Sequence, residues 1–462
     1  MTNLKGKSVL VLGLGETGLS LVRWISLQGA KLRVADSRNH PPSIEVLQRE
    51  FPGVEVRCGV FRSDLLDGVE LIAISPGVPV RESIVQKALE REIPVVGDIE
   101  LFAQTIPEKK RPKVIAITGS NGKTTVTSMV GAMCREAGKD AVVAGNISPA
   151  VLDVLAERKG KHPDVWVLEL SSFQLETTYS LSADAASVLN ISEDHMDRYE
   201  DMGDYIAAKA RIFRSSGEGG GVQVLNRDDP ESLAMALRER SCVTFGVKDV
   251  PANDSDWGVE VEGGDVWLLH GRTRIMKASE LQLNGLHNVA NALAALALCT
   301  AIDLPMAKLV DALKKFRGLP HRVEMVDEIN DVVYYDDSKG TNVGATVAAL
   351  VGLGRKAVVI LGGDGKGQDF APLEPAVTEH ARAVVLIGRD ANLIADALEK
   401  CDVPKLYAKD MEEAVVLAAE QAHSGDAVLM SPACASFDMF RNYVHRAEVF
   451  IAAVHELKTG MS

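Results

Sequence analysis

A lysine and two threonines behind a pair of glycines form the segment of this sequence best suited to chemistry. In Thr118-Gly119-Ser120-Asn121-Gly122-Lys123-Thr124-Thr125 the glycines let backbone N–H groups turn inward onto a phosphate. The helix N-terminus that follows adds positive potential. Lys123 is spaced to reach β- and γ-phosphates, and Thr124 to ligate Mg²⁺. The usual pattern has a glycine six residues before the lysine, where Ile117 stands, so this loop is a shortened version. The alternative is a plain strand-to-helix turn with an incidental lysine. The apolar run Val114–Ile117 before the loop, and Val126, Met129, Val130 and Met133 at helical spacing after it, favour phosphate binding.

Three further residues could serve such a site. Glu169 follows the apolar run Val165–Leu168, where a carboxylate is costly without a cation. Mg²⁺ prefers oxygen, so Glu169 is its natural ligand. His195 follows another apolar run, Ala185–Leu189, and reads equally as a ligand or as a loop histidine among solvated acids. Lys209 shares a helix face with Ile206 and Phe213. A lysine on an apolar face either snorkels to solvent, the reading its surroundings favour, or is neutralised by desolvation. A neutral amine reacts with CO₂ to a carbamate, which replaces a cation with a metal-ligating anion.

Near the N-terminus, Gly13-Leu14-Gly15-Glu16-Thr17-Gly18 follows a strand and opens a helix, and Asp36 ends the next strand. This is the pattern of a dinucleotide fingerprint. It fits NAD, a UDP-sugar, or simple close packing of helix on sheet.

The elements that must position these residues alternate strand and helix, which implies parallel, doubly wound sheets. The rhythm restarts after the polar linker Pro107–Pro112 and again after Gly318-Leu319-Pro320, giving about three domains. Strands are expected at Val9–Leu12, Lys31–Ala35, Leu71–Ile74, Val332–Tyr335, Ala357–Leu361, Ala383–Ile387 and Ala427–Met430. The alternating, β-branched stretch from Val222 to Met276 suggests an added antiparallel sheet. With 46% hydrophobic and 25% charged residues, the 462-residue chain can build large cores. A net charge of −14 argues against general nucleic-acid binding. No two of the six cysteines stand in a C-x-x-C spacing, which fits a reducing cytoplasm. The most apolar stretch, Ala292–Ile302, is too short to cross a bilayer.

Taken in order, these motifs and several more resemble the Mur ligases of peptidoglycan synthesis, most closely the branch that adds D-glutamate. The resemblance rests on Ile117–Thr125, Leu168-Glu-Leu-Ser-Ser-Phe-Gln174, Asn190-Ile-Ser-Glu-Asp-His195, Gly285-Leu-His-Asn288 and Leu319-Pro-His-Arg322. It continues through Asp336-Asp-Ser-Lys-Gly-Thr-Asn342, Leu361–Lys366 and Ser431–Phe440. It implies an α/β chain of three domains. These are a Rossmann-like N-terminal domain (1–97) for the UDP-substrate, a central P-loop ATPase-like domain (98–318) for ATP, and a Rossmann-like C-terminal domain (319–462). The last would hold the incoming amino acid and part of ATP.

The same resemblance implies the roles. Gly119, Ser120, Asn121, Gly122, Lys123, Thr124, Thr125, Asn288, Asn291, Arg322 and Asp337 would hold ATP. Thr124, Glu169, His195 and carbamylated Lys209 would hold two Mg²⁺ ions, with Lys123, His195 and Lys209 catalytic. Gly15, Glu16, Thr17, Asp36, Ser37, Arg38, Ser75, Asn146, Ser171 and Gln174 would bind UDP-N-acetylmuramoyl-L-alanine. Lys339, Thr341, Ser436 and Tyr443 would bind D-glutamate. The implied protein is a cytoplasmic monomer without nucleic-acid or membrane partners, acting in cell-wall synthesis, cell shape and division. Gly340, Tyr443 and Asp336 depart from the alanine, phenylalanine and asparagine common in the family. A sister ligase using another amino acid, or a folate polyglutamylating ligase, is the nearest alternative. An NAD-dependent dehydrogenase is the alternative from another class.

Overall fold

A computed structural model describes residues 3–214, 220–283 and 285–460. Its strands form three sheets, met in chain order. The first is parallel, in spatial order Glu55–Cys58, Lys31–Asp36, Ser8–Leu12, Leu71–Ile74, Val95–Val96. Val9–Leu12 are fully buried because helices cover both faces, which is why the strand reads as a continuous apolar run. Gly18 sits under the first turn of helix Glu16–Leu27, where a Cβ would lie 1.9 Å from the Gly13 carbonyl oxygen. Close helix-to-strand approach is therefore one real use of the glycine pattern.

The central sheet has nine strands. Lys113–Thr118 lies between Ala185–Val188 and Val165–Glu169, all parallel, so the phosphate loop leaves the middle of the sheet. The stretch from Val222 corrects the expectation of a separate antiparallel sheet. Val222–Asn226 and Cys242–Phe245 continue the parallel order, and only Trp257–Glu262, Asp265–His270 and Thr273–Lys277 form an antiparallel edge on it. Alternating residues mark a sheet with one wet face, and local pattern cannot say whether that face belongs to a new sheet. Helix Leu286–Thr300 packs on helix Lys123–Glu136, burying its alanines against the sheet.

The third sheet is parallel except for its edge strand Glu324–Ile329, which pairs antiparallel with Val332–Asp336. Strands Glu55–Cys58, Val95–Val96, Ala141–Gly145, Glu324–Ile329 and Lys405–Tyr407 were not expected from pattern. Most are short, edge or partly exposed, and so lack a continuous apolar run. No helix among the described residues is long and apolar enough to cross a membrane.

One apolar cluster runs from the first sheet into the central one, joining Val9, Trp24 and Phe102 with Trp166, Leu168 and Leu175. Asp98, the first residue of helix Asp98–Ala103, is buried at this seam. Its Oδ2 accepts from Gln174 Nε2 at 3.0 Å, and among the described residues its Oδ1 has no partner. Burial pushes its carboxyl from 3.8 up to about 6. The native state therefore holds this proton after the unfolded chain has lost it, and stability falls as pH rises from about 4 to 6. The displacement is worth roughly 3 kcal/mol. Asp98→Asn is expected to gain stability over the native chain between pH 4 and pH 7 by up to that amount, read from urea unfolding at both pH values. A difference independent of pH would contradict this.

Candidate functional site

Three cationic side chains converge where the central strands end. Lys123 Nζ donates to the Gly119 and Ser120 carbonyls at 2.8 and 3.0 Å. Lys209 Nζ donates to the same Gly119 carbonyl at 2.9 Å. Arg322, from the third unit, donates from Nη2 to Thr124 Oγ1 at 2.7 Å. The ammonium groups point into the loop because Gly119 and Gly122 have positive φ and no Cβ to block the approach. A Cβ at Gly122 would lie 2.6 Å from Asn291 Oδ1.

Lys209 does not snorkel, which corrects the reading its local residues favour. It is 2% exposed, and its Nζ lies 4.6 Å from the Tyr205 ring centroid. The helix stops at Ala210 and tightens to a 3₁₀ turn over Arg211–Phe213, so the face inferred from Phe213 is not a continuous helix face. Burial, and then the neighbouring Lys123, push the Lys209 amine well below its ordinary range. Burial also lowers Lys123.

Opposite these cations stands Glu169. Its Oε1 accepts from Asn146 Nδ2 at 2.8 Å, and its buried Oε2 has no partner among the described residues. Gly145 pairs with Glu169 across the sheet, and a Cβ there would meet the Glu169 carbonyl at 2.2 Å. His195 has φ +59 and is held by the Phe173 ring, 4.8 Å between centroids. Burial lowers its imidazole to about 4, so it is neutral at physiological pH. A carboxylate oxygen and a neutral imidazole are donor types that a divalent cation takes.

A cavity of about 410 Å³ opens beside the loop between the second and third units. Asn121, Gly122, Thr125, Asn288, Asn291, Arg322, Asp337 and Lys339 line it. Asn291 Nδ2 donates to Asn288 Oδ1 at 3.3 Å on the first turns of helix Leu286–Thr300. Burial raises Asp337 to about 7 although Ser431 Oγ donates to it at 2.6 Å. Lys339 Nζ lies 3.8 Å from the Tyr443 ring centroid, and burial lowers its amine to about 8. Thr341 is near, its N–H bonded to the Lys339 carbonyl, and Ser436 is buried.

The expected UDP-substrate residues divide in two. Gly15, Glu16, Thr17, Ser37, Arg38 and Ser75 gather at the carboxyl ends of the first sheet's strands, and Glu16 accepts from Ser148 Oγ across the seam at 2.6 Å. Asp36 is buried, and its two oxygens already accept from Leu14 N–H and Arg38. It braces the glycine turn. Ser171 and Gln174 form a capping box at helix Ser172–Glu176, and Gln174 also donates to Asp98. Their polar groups are committed to structure.

Several residues escaped the sequence reading. Lys366 Nζ bonds Asp194 Oδ1 at 2.5 Å, joining the third unit to the second. Asn342 Nδ2 donates to Asn121 Oδ1 at 3.0 Å across the same seam. Tyr205 OH pairs with Ser120 Oγ at 3.0 Å. His321 Nδ1 pairs with the buried Asp336 at 2.6 Å. Arg446 is fully buried on the carbonyls of Ser338 and Cys434. Asp194, Lys366, His321, Asp336 and Asn342 lie within the motifs that carry the family resemblance, whereas Tyr205 and Arg446 lie outside them.

Comparison with known proteins identifies the family of the chain. Family models match residues 7–97 (Mur ligase MurD-like, N-terminal domain), 117–299 (Mur ligase middle domain) and 321–434 (Mur ligase, glutamate ligase domain). The chain is 58% identical to the UDP-N-acetylmuramoylalanine–D-glutamate ligase of Nitrosospira multiformis, over 99% of this chain and 97% of that one. It is also 58% identical to the protein of the same name from Methylobacillus flagellatus, over 99% of each. Among solved structures, the UDP-N-acetylmuramate-alanine ligase of Thermotoga maritima superposes with a TM-score of 0.60 at 19% identity, covering 98% of this chain and all of that one. A pseudomurein peptide ligase from Methanothermus fervidus does so at 0.60 and 18%, with the same coverage.

The Lys366–Asp194 pair generates a test of the second seam. Its side chains are 15% and 9% exposed, so removing one partner leaves a charge largely buried and unpaired. Lys366→Met is expected to open the third unit away from the second, raising the radius of gyration in small-angle scattering. An unchanged radius would show that the pair does not hold the seam.

Proposed function

The chain belongs to the Mur ligase family, and from that membership we propose that it joins D-glutamate to UDP-N-acetylmuramoyl-L-alanine, using ATP, through an acyl phosphate. The observation that carries this is the pair of Lys123 and Arg322 at one phosphate-binding loop, with the buried Lys209 amine and the Glu169 carboxylate beside them. Such a site is built for anions that repel each other elsewhere. The names of relatives at 58% identity over the full chain select the amino acid.

In the proposed reaction the substrate carboxylate attacks the γ-phosphorus and the β–γ bond breaks, releasing ADP. The amine of D-glutamate attacks the acyl carbon, loses a proton, and phosphate leaves. Lys123 and the loop N–H groups neutralise the transferring phosphoryl, and Arg322 and Lys339 add charge from the third unit. Asn288, Asn291 and Asp337 lie where the rest of ATP would bind. Thr341, Ser436 and Tyr443 complete the amino-acid pocket with Lys339. Gly15, Glu16, Thr17, Ser37, Arg38, Ser75 and Asn146 would hold the uridine nucleotide, with Asp36, Ser171 and Gln174 shaping it from behind. Thr124, Glu169, His195 and a carbamate on Lys209 would hold Mg²⁺ at two sites, where the ion supplies charge screening between the anions. Carbamylation forms a C–N bond between the Lys209 amine and CO₂ with loss of a proton, and removes the cation that crowds Lys123. A division at residues 97 and 318, a monomeric state and a cytoplasmic setting belong to the same reading.

A panel of amino acids with the UDP-substrate and ATP, read by phosphate release, tests the specificity. D-glutamate is expected to exceed L-alanine and diaminopimelate by orders of magnitude, and parity would place the chain among sister ligases. Lys123→Ala should reduce turnover by at least about 1000-fold, the scale of losing a positioned transition-state charge. Lys209→Ala should be nearly inactive and partly rescued by short carboxylic acids. Activity without rescue agents would argue against the carbamate.

A further inference from the structure

A second cavity, of about 380 Å³, lies between the first and central units, away from the loop and the nucleotide cavity. It shares no lining residue with that cavity, and none of the expected UDP-substrate residues lines it. Its walls carry four arginines, Arg81 from the first unit and Arg198, Arg211 and Arg214 from the central one. This is a notable concentration in a chain of net charge −14.

Three of the four guanidinium groups donate to carbonyls, which do not neutralise their charge. Arg81 Nη2 donates to the Asp197 carbonyl at 2.6 Å. Arg211 donates to the carbonyls of Leu175 and Thr178, at 2.7 and 3.2 Å. Arg198 donates to the Val78 carbonyl at 3.1 Å, and its one carboxylate neighbour, Glu176, is 3.7 Å away. Among the described residues, Arg81, Arg211 and Arg214 have no carboxylate within 4.0 Å. Glu200 and Asp204 also line the cavity without pairing to these groups. After burial, Arg214 lowers Arg211, so these like charges face one another, while on Arg198 Glu176 and Tyr199 raise the guanidinium more than Arg81 lowers it. A planar guanidinium matches phosphate oxygens two at a time.

We propose that this cavity is a binding site for a small phosphorylated anion, separate from both substrate sites. An anion there bridges Arg81 on one unit and Arg211 and Arg214 on the other, and so ties the first seam shut. It also touches Arg198, which lies 4.0 Å over the Phe173 ring that seats His195. The site goes beyond the proposed ligase reaction and does not depend on which amino acid that reaction uses.

Isothermal titration with inorganic pyrophosphate tests it, using the full chain with a non-hydrolysable ATP analogue and uridine diphosphate saturating, in EDTA. One additional saturable site is expected, its affinity falling with added salt. The double variant Arg81→Ala/Arg214→Ala, at two exposed positions, should weaken it at least tenfold while binding the ATP analogue as before. Should that variant unfold, Arg81→Gln/Arg214→Gln, which keeps much of the side-chain bulk, replaces it with the same expectation. No additional heat up to about 10 mM, or equal affinity in the variant, would overturn the proposal.

Discussion

The rest of the structure is arranged around one carbonyl oxygen, that of Gly119, which accepts from the ammonium groups of both Lys123 and Lys209. Two like charges on one acceptor in a buried place are unfavourable unless one is neutral or an anion joins them. Burial answers part of this by depressing both amines. The buried Glu169 carboxylate and the neutral His195 imidazole stand beside them, both of donor types a divalent cation takes.

That arrangement demands a dry, rigid setting, and the central sheet provides it. The loop, Glu169 and the segment leading to His195 all leave neighbouring parallel strands at their carboxyl ends. Each position is fixed by a buried strand, so small shifts are resisted by packing on both faces. Helix Leu286–Thr300 closes the far side, its alanines allowing it to lie close.

The two seams differ in kind. The first is largely apolar, a core cluster shared between the first and central units, with buried Asp98 as its weak point. The second is polar, built from Arg322–Thr124, Lys366–Asp194 and Asn342–Asn121. Polar seams of this sort can exchange their partners for ligand atoms at little cost, whereas an apolar seam loses buried surface on opening.

The sequence alone determined the chemistry of the phosphate loop, the α/β class and most buried strands. Each of these is local: a run of apolar residues, a glycine spacing, a lysine at a fixed offset. It could not determine the state of Lys209, because whether a lysine on an apolar face reaches water depends on what covers it. Nor could it show that Gln174 reaches Asp98, or that Asp36 holds the N–H of Leu14, since those partners lie 76 and 22 residues away. Partners such as Arg322 and Thr124, or Lys366 and Asp194, are 198 and 172 residues apart. Only the folded chain brings them together, because hydrogen bonds and ion pairs depend on distance in space and leave no periodic trace along the chain.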